Sequence, residues 1–308
     1  MAMNQAVFPY NLRMPIRKLL LTTTLLLASL TLHAQYPITT DPTPDKQNPA
    51  AMQSFQLPSH GALLNAFVYI ASGAGPHPTV ILLHGFPGNE KNLDLAQSIR
   101  RAGWNVLYFN YRGSWGSPGD FSFTHCIEDV QSAIAYLRDP ANAKKLRVDS
   151  NHLVLIGHSM GGFMTIQGAA NDPAIKAIAT ISAADFNAAR LQSLPTDKHD
   201  ATVKNIAAHL ADEGMAPLAG TTSESLANEL ITNAAAWNFP AAAPKLATRH
   251  ILVLTSDDGL APANDAFVEA LHKAGNQQVN EIHMTTDHAY SDHRIALQQA
   301  ILDFLKQN

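Results

Sequence analysis

The chain has 308 residues, of which 46% are hydrophobic and 15% charged, and its 21 Lys and Arg against 25 Asp and Glu give a formal net charge of −4. So low a charged fraction argues against a disordered tail or a long coiled coil, and without a Lys/Arg-rich run the electrostatic footprint of a nucleic-acid binder is missing. The single cysteine, Cys126, can neither close an intrachain disulfide nor build a Cys-based metal cluster, and is expected as a small buried helix residue.

In chain order, Arg13, Arg17 and Lys18 precede an apolar stretch from Leu19 to Leu32, and His33-Ala34-Gln35 follows it. This is the layout of a secretory signal peptide over residues 1–34, with cleavage after Ala34. The apolar stretch is shorter than the ~20 residues an untilted membrane-spanning helix needs, so removal is favoured over anchoring. Met14, just before this unit, is an alternative start that gives a more compact signal. Removal takes three basic and no acidic residues and leaves a moderately acidic chain, expected to be periplasmic or secreted. Residues 35–53, with Pro37, Pro42, Pro44 and Pro49, form an extended linker.

From Ser54 to the end at Asn308, strands and helices alternate, the pattern of an α/β sheet covered by helices on both faces. Strands are expected at Leu63 to Ser72, Thr79 to Leu83, Trp104 to Asn110, His152 to Ile156, Ile175 to Ile181, His250 to Leu254 and Val279 to Met284. Helices are expected at Leu93 to Ala102, Phe121 to Leu137, Gly161 to Ala170 and about Asp292 to Lys306. In the second of these, Ile127, Val130, Ala133, Ile134 and Leu137 form the apolar face, with Glu128 and Asp129 on the solvent side. Between Ala183 and Arg249 the alternation stops. This Ala-rich stretch, with helical patterning around Val203 to Glu213 and Glu224 to Ala235, is expected to be a helical cap inserted at about 183–249.

The chemistry is carried by Leu153-Val154-Leu155-Ile156-Gly157-His158-Ser159-Met160-Gly161-Gly162, a buried strand, a G-x-S-x-G turn and a helix. A serine on such a turn is presented away from the sheet, and the helix N-terminus adds positive potential where a substrate oxygen would sit. Serine does not attack unaided, so a base and an orienting acid are required, in the chain order Ser, Asp, His for this architecture. Asp258 follows the strand His250 to Leu254, and His288 follows the last strand. Ser159, Asp258 and His288 thus all fall in loops at the carboxyl ends of strands. Asp257 is the runner-up acid, with capping or turn formation as its simpler role. His293 is expected to be a solvated helix residue, and His158 to pack rather than react. The loop His84-Gly85-Phe86-Pro87-Gly88, directly after a strand, would offer the backbone N–H of Phe86, with that of Met160, to a developing oxyanion. Phe186, Met215, Trp237 and Phe239 in the insertion are candidate pocket lining, and Trp115 a candidate for the rim. No His-x-x-x-His helix or carboxylate cluster has metal-ligand spacing, so no metal and no cofactor are expected.

With these residues in place, the chain resembles the α/β-hydrolase superfamily over roughly Ser54 to Lys306. His84-Gly85-Phe86, Tyr111-Arg112-Gly113, Gly157-His158-Ser159-Met160-Gly161, Asp258 and His288 occur in that family's order. Asn110 to Gly116 and Ile127-Glu128-Asp129-Val130 look like catalytic domains of the prolyl-oligopeptidase group. His84-Gly85-Phe86 and Asp287-His288-Ala289-Tyr290-Ser291-Asp292 look equally like small carboxylesterases of the cinnamoyl or feruloyl kind. The resemblance implies a mostly parallel eight-stranded sheet and a Ser-Asp-His triad. Too short a stretch precedes the first strands to hold the β-propeller of prolyl oligopeptidases, which weakens a peptidase reading.

The expected function is hydrolysis of carboxylic esters through an acyl-enzyme, with a small ester or a short acyl or peptidyl compound as substrate. A serine aminopeptidase is the alternative, with Glu90, Asp212 or Glu213 as candidate anchors for an ammonium group. A non-catalytic binding protein on the same fold is the remote third.

Overall fold

The computed structural model describes residues 37–186 and 188–308, so the stretch read as a signal peptide lies outside the described residues. Eight strands form one sheet: β1 (Ala51–Ser59), β2 (Ala62–Ile70), β3 (His77–Leu83), β4 (Asn105–Phe109), β5 (Val148–His158), β6 (Ala177–Ile181), β7 (His250–Ser256) and β8 (Val279–Met284). Their order is β1-β2-β4-β3-β5-β6-β7-β8. β1 pairs with β2 and β2 with β4 in antiparallel fashion, and every later pairing is parallel.

Burial explains why the centre of this sheet was easy to anticipate. Every residue of β4 and β6 is buried, as are Val80, Ile81, Leu82 and Leu83 of β3, as continuous apolar runs in a doubly covered parallel sheet require. At the far edge β8 is largely exposed and carries Glu281 and His283, polar residues that blunt an open strand edge. β1 was not anticipated, and it begins inside the expected linker. It forms a hairpin with β2 in which Ser59 opposes Ala62, closed by His60 and Gly61. Both have positive φ, at 45° and 84°, the requirement of a two-residue turn that matches strand twist.

On one face lie α1 (Leu93–Arg101) and α10 (Arg294–Leu305), which bury Leu95, Ile99, Leu297 and Ile301 against β3, β4, β5 and β7. The other face carries α2 (Phe123–Arg138), α3 (Pro140–Leu146), α4 (Met160–Asn171) and α9 (Ala261–Lys273). Between β6 and β7 the chain forms α5 (Ala188–Gln192), α6 (His199–Asp212), α7 (Ser223–Trp237) and α8 (Phe239–Ala242), all helical and joined to the second face. Glu229 of α7 fastens this insertion: its carboxylate accepts from the amides of Phe123 (3.0 Å) and Thr124 (2.8 Å), free donors at the N-terminus of α2.

One expectation is overturned here. Asp129, assigned to the solvent side of α2, is fully buried. Its carboxylate accepts from Arg112 Nε at 2.7 Å, the Arg112 amide at 2.8 Å and Ser59 Oγ at 2.5 Å, while Glu128 holds the outer edge of the same guanidinium. Burial of a charge is tolerable only when it is paired and hydrogen-bonded in this way. The Tyr111-Arg112-Gly113 and Glu128-Asp129 motifs are therefore one internal clamp that joins the strand β4 exit to α2. Cys126, as expected, is buried in α2.

Candidate active site

β5 ends at His158 and α4 starts at Met160, so Ser159 alone makes the turn, at φ 56° and ψ −121°. Such a conformation costs on the order of 1–3 kcal/mol and persists only when its surroundings enforce it. Here they do: the Ser159 amide donates to the Ile181 carbonyl at 2.9 Å, and its carbonyl accepts from Gly162 (2.9 Å) and Ala184 (3.1 Å). The flanking glycines are sterically required. A Cβ on Gly161 would lie 2.1 Å from the Leu83 carbonyl oxygen of β3, and one on Gly157 2.0 Å from the Gly161 carbonyl oxygen.

Asp258 stands just past β7, and its Oδ2 lies 2.7 Å from Nδ1 of His288, in the loop after β8. Burial by itself would raise the Asp258 carboxyl, but the His288 ring, the Leu260 amide (2.9 Å to Oδ1) and the hydroxyls of Ser182 and Ser256 outweigh it and hold the group well below the ordinary carboxylate range. It stays ionised, and so fixes the proton of His288 on Nδ1 and leaves Nε2 as the basic nitrogen. The runner-up Asp257 points elsewhere. Its carboxylate lies 3.0 Å from Nε2 of His283 on β8, whose Nδ1 is 3.0 Å from Thr255 Oγ1. His293 pairs with its neighbour Asp292 at 2.8 Å.

Ser159 and His288 face one cleft of about 300 Å³, walled by Gly85 to Glu90, His158, Glu213 and Asp287 to Ala289. The Gly85 loop crosses directly over the serine, since a Cβ on Gly85 would stand 3.5 Å from Ser159 Oγ. Among the described residues neither the Phe86 nor the Met160 amide is committed to a backbone acceptor. Beneath this loop His84 is buried, its Nδ1 2.8 Å from the Gly85 carbonyl; burial pushes its ring down to about 4.

The aromatic residues expected to line the pocket take other places. Trp115 stands behind the wall, where its indole N–H donates to the Pro87 carbonyl at 2.8 Å and Lys91 lies over its ring. Trp237 is buried, with its ring centroid 5.4 Å from that of Phe163, and Phe186 packs tilted against Phe123 at 4.7 Å, so both belong to the packing between insertion and sheet. Phe239 is likewise buried, and Met215 packs against the same core. Polar Glu90 and Glu213 occupy the wall instead, because helix α6, whose C-cap is Glu213, projects its exposed end over the cleft.

Three further residues stand behind the site. Ser182 bridges Ser256 (2.9 Å) and Tyr290 (3.1 Å), a buried hydroxyl cluster behind Asp258. The readable sign was polar residues at the ends of two otherwise apolar strands. Burial pushes the Tyr290 hydroxyl up to about 12, so it remains a donor. Among the described residues, no group of three or more His, Cys, Asp and Glu is arranged to hold a metal ion.

The chain is 27% identical over 136 residues to the quorum-quenching protein AidA of Acinetobacter baumannii, 42% of this chain and 43% of that one. It spans less than half the length of the curated relatives it matches. Its fold is similar to that of a hyperthermophilic esterase from the archaeon Pyrobaculum calidifontis, with a TM-score of 0.61, 17% identity, and coverage of 95% of this chain and 92% of the other. Est1E from Butyrivibrio proteoclasticus is similar at a TM-score of 0.61 and 16% identity, over 82% of this chain and 98% of that one. The model of the alpha/beta hydrolase family matches residues 80–298, from within β3 into the start of α10, and with the sheet order and the strand-turn-helix at Ser159 it establishes that the chain belongs to the alpha/beta hydrolase family.

Proposed function

We propose that the protein is a serine hydrolase that cleaves carboxylic esters through an acyl-enzyme. The observation that carries this reading is the 2.7 Å contact between Asp258 and His288 beside a serine held at positive φ in the same cleft. Ser159 Oγ attacks the acyl carbon while His288 Nε2 takes its proton. The Phe86 and Met160 amides hold the tetrahedral oxyanion, and collapse expels the alcohol with the proton returned by His288. Water, deprotonated by the same imidazole, then releases the acid. Asp258 keeps the ring in the working tautomer and steadies the imidazolium. The similarity in fold to the Pyrobaculum calidifontis esterase favours ester over amide chemistry. Export of the chain through residues 1–34 belongs to the same proposal, and N-terminal sequencing of the secreted or periplasmic form tests it.

A second reading, a serine aminopeptidase, is favoured by Glu90 and Glu213 in the cleft wall, where a carboxylate would meet a substrate ammonium. Hydrolysis rates on short acyl esters, aromatic esters and aminoacyl arylamides, with Ser159→Ala in parallel, separate the two. The ester reading expects esters to be turned over faster and Ser159→Ala to lose activity on all of them; faster arylamide hydrolysis would transfer the assignment to the peptidase.

A further inference from the structure

We propose, resting on the serine-hydrolase reading above, that His158 is a positioning residue: its ring N–H ties the main chain of the His288 loop to the residue next to the nucleophile. His158 is the last residue of β5, covalently joined to Ser159, and its Nε2 lies 2.8 Å from the backbone carbonyl oxygen of His288. The two imidazole rings stand 4.6 Å apart between centroids, inclined by 40°. A carbonyl oxygen only accepts, so Nε2 of His158 carries the proton.

His158 Nδ1 is buried and has no partner among the described residues, which fits a bare nitrogen in a neutral ring. The charged and titratable groups around it are His288, Arg294 and Asp258. Burial first, then the charge on His288, push the His158 ring down to about 4. A neutral neighbour leaves the imidazolium that forms on His288 without a competing positive charge at close range.

The geometric consequence is specific. Asp258 holds His288 through its ring, which leaves rotation and translation of the loop main chain to be fixed by other contacts. His158 supplies one from the element that also sets the position of Ser159 Oγ. An error of about 1 Å in such a nucleophile–base pair is enough for a hundredfold loss of rate. Residue 158 therefore acts on the chemical step through His288 rather than by touching substrate.

The test compares His158→Phe, which fills the space without the donor, His158→Gln, which restores an N–H donor, and Ser159→Ala, each measured for kcat, KM and thermal midpoint on one ester. The expected result is a fall in kcat of roughly ten- to a hundredfold for His158→Phe with KM within about twofold, and substantial recovery in His158→Gln at an equal or lower thermal midpoint. Should the Phe variant fail to fold, His158→Met takes its place as the donor-free form. Equal kcat in wild type and the donor-free variant overturns the proposal, as does equal loss in the donor-free and Gln variants. Failure of the serine-hydrolase reading shows separately, as retained activity in Ser159→Ala.

Discussion

The carboxylate of Asp258 holds Nδ1 of His288 at 2.7 Å, while the adjacent Asp257 is directed to the neighbouring strand and holds His283 at 3.0 Å. Two acids side by side thus have separate partners, and only Asp258 holds a residue that lines the cleft. Replacing Asp258 by Asn removes the charge and permits the wrong His288 tautomer. Activity on esters is expected to fall by roughly 10³–10⁴-fold. Asp257→Asn, at an exposed site, is expected to stay within about twofold of wild type. Steady-state kcat/KM of both variants checks the assignment, and the reverse order would exchange the roles.

Protonation adds a second distinction. Because the Asp258 carboxyl is held well below its ordinary range, it remains ionised throughout neutral and mildly acidic pH. The acid limb of log(kcat/KM) is then expected to have a slope of one proton, with none contributed by Asp258. A second proton in the acid limb of log(kcat/KM) above pH 5 would contradict the hydrogen bonding described for Asp258.

Acid should also weaken the fold through two buried histidines. His84 and His158 are lowered from the usual 6.5 to about 4, chiefly by burial. Between those values the unfolded chain binds protons that the folded chain refuses, so the stability these residues contribute is fully present above about 6.5 and is lost as pH falls toward 4. The slope is at most about 1.4 kcal/mol per pH unit for each ring. Urea midpoints measured at pH 7, 6 and 5 are expected to decline, and more shallowly in His158→Phe. A flat series would contradict neutral burial of these rings.

The clamp between Arg112 and Asp129 is buried on both sides, at 8% and 0% side-chain exposure. Removing Arg112 strands the Asp129 carboxylate in the core, and removing Asp129 leaves the guanidinium only its outer partner Glu128. Asp129→Leu alone is expected to cost about 3–5 kcal/mol. Arg112→Met alone should be comparably harmful, and the double variant Arg112→Met with Asp129→Leu less harmful than either. Chemical denaturation of the three proteins measures this non-additivity directly; simple addition would contradict a desolvated pair.

Trp115 gives a prediction about the loop over the nucleophile. Its indole N–H bonds the Pro87 carbonyl, one residue after the Phe86 amide. Trp115→Phe deletes that bond while keeping an aromatic ring. A loss of about 1 kcal/mol in loop restraint corresponds to a fall in kcat of about fivefold. Unchanged kcat with raised KM would place Trp115 at the substrate rim instead.

Much of this site could be read in the sequence because strand, tight turn and helix impose local rules. The buried run ending at Ile156, the glycines around Ser159, and the acid and histidine after later strands all follow from them. What escaped reading depends on partners distant in the chain. Asp129 looked solvated because helix spacing cannot show that Arg112, on another element, neutralises it. His158 looked like packing because its acceptor lies 130 residues away. β1 follows directly on a Pro-rich stretch and is half exposed, and pairing with β2 is what makes it a strand. Trp237 and Phe186 were placed in the pocket because the apolar content of a helical insertion does not say which face meets the sheet and which the cleft.

The central claim is that Ser159 is the nucleophile. It is tested most directly by incubating the folded protein with a fluorophosphonate and mapping the adduct by peptide mass spectrometry, with loss of ester hydrolysis followed in the same sample. The account predicts one adduct per chain, on Ser159, formed in step with the loss of activity and absent from Ser159→Ala. Ester hydrolysis that persists in the fully labelled protein, or an adduct at another residue that tracks its loss, would contradict it.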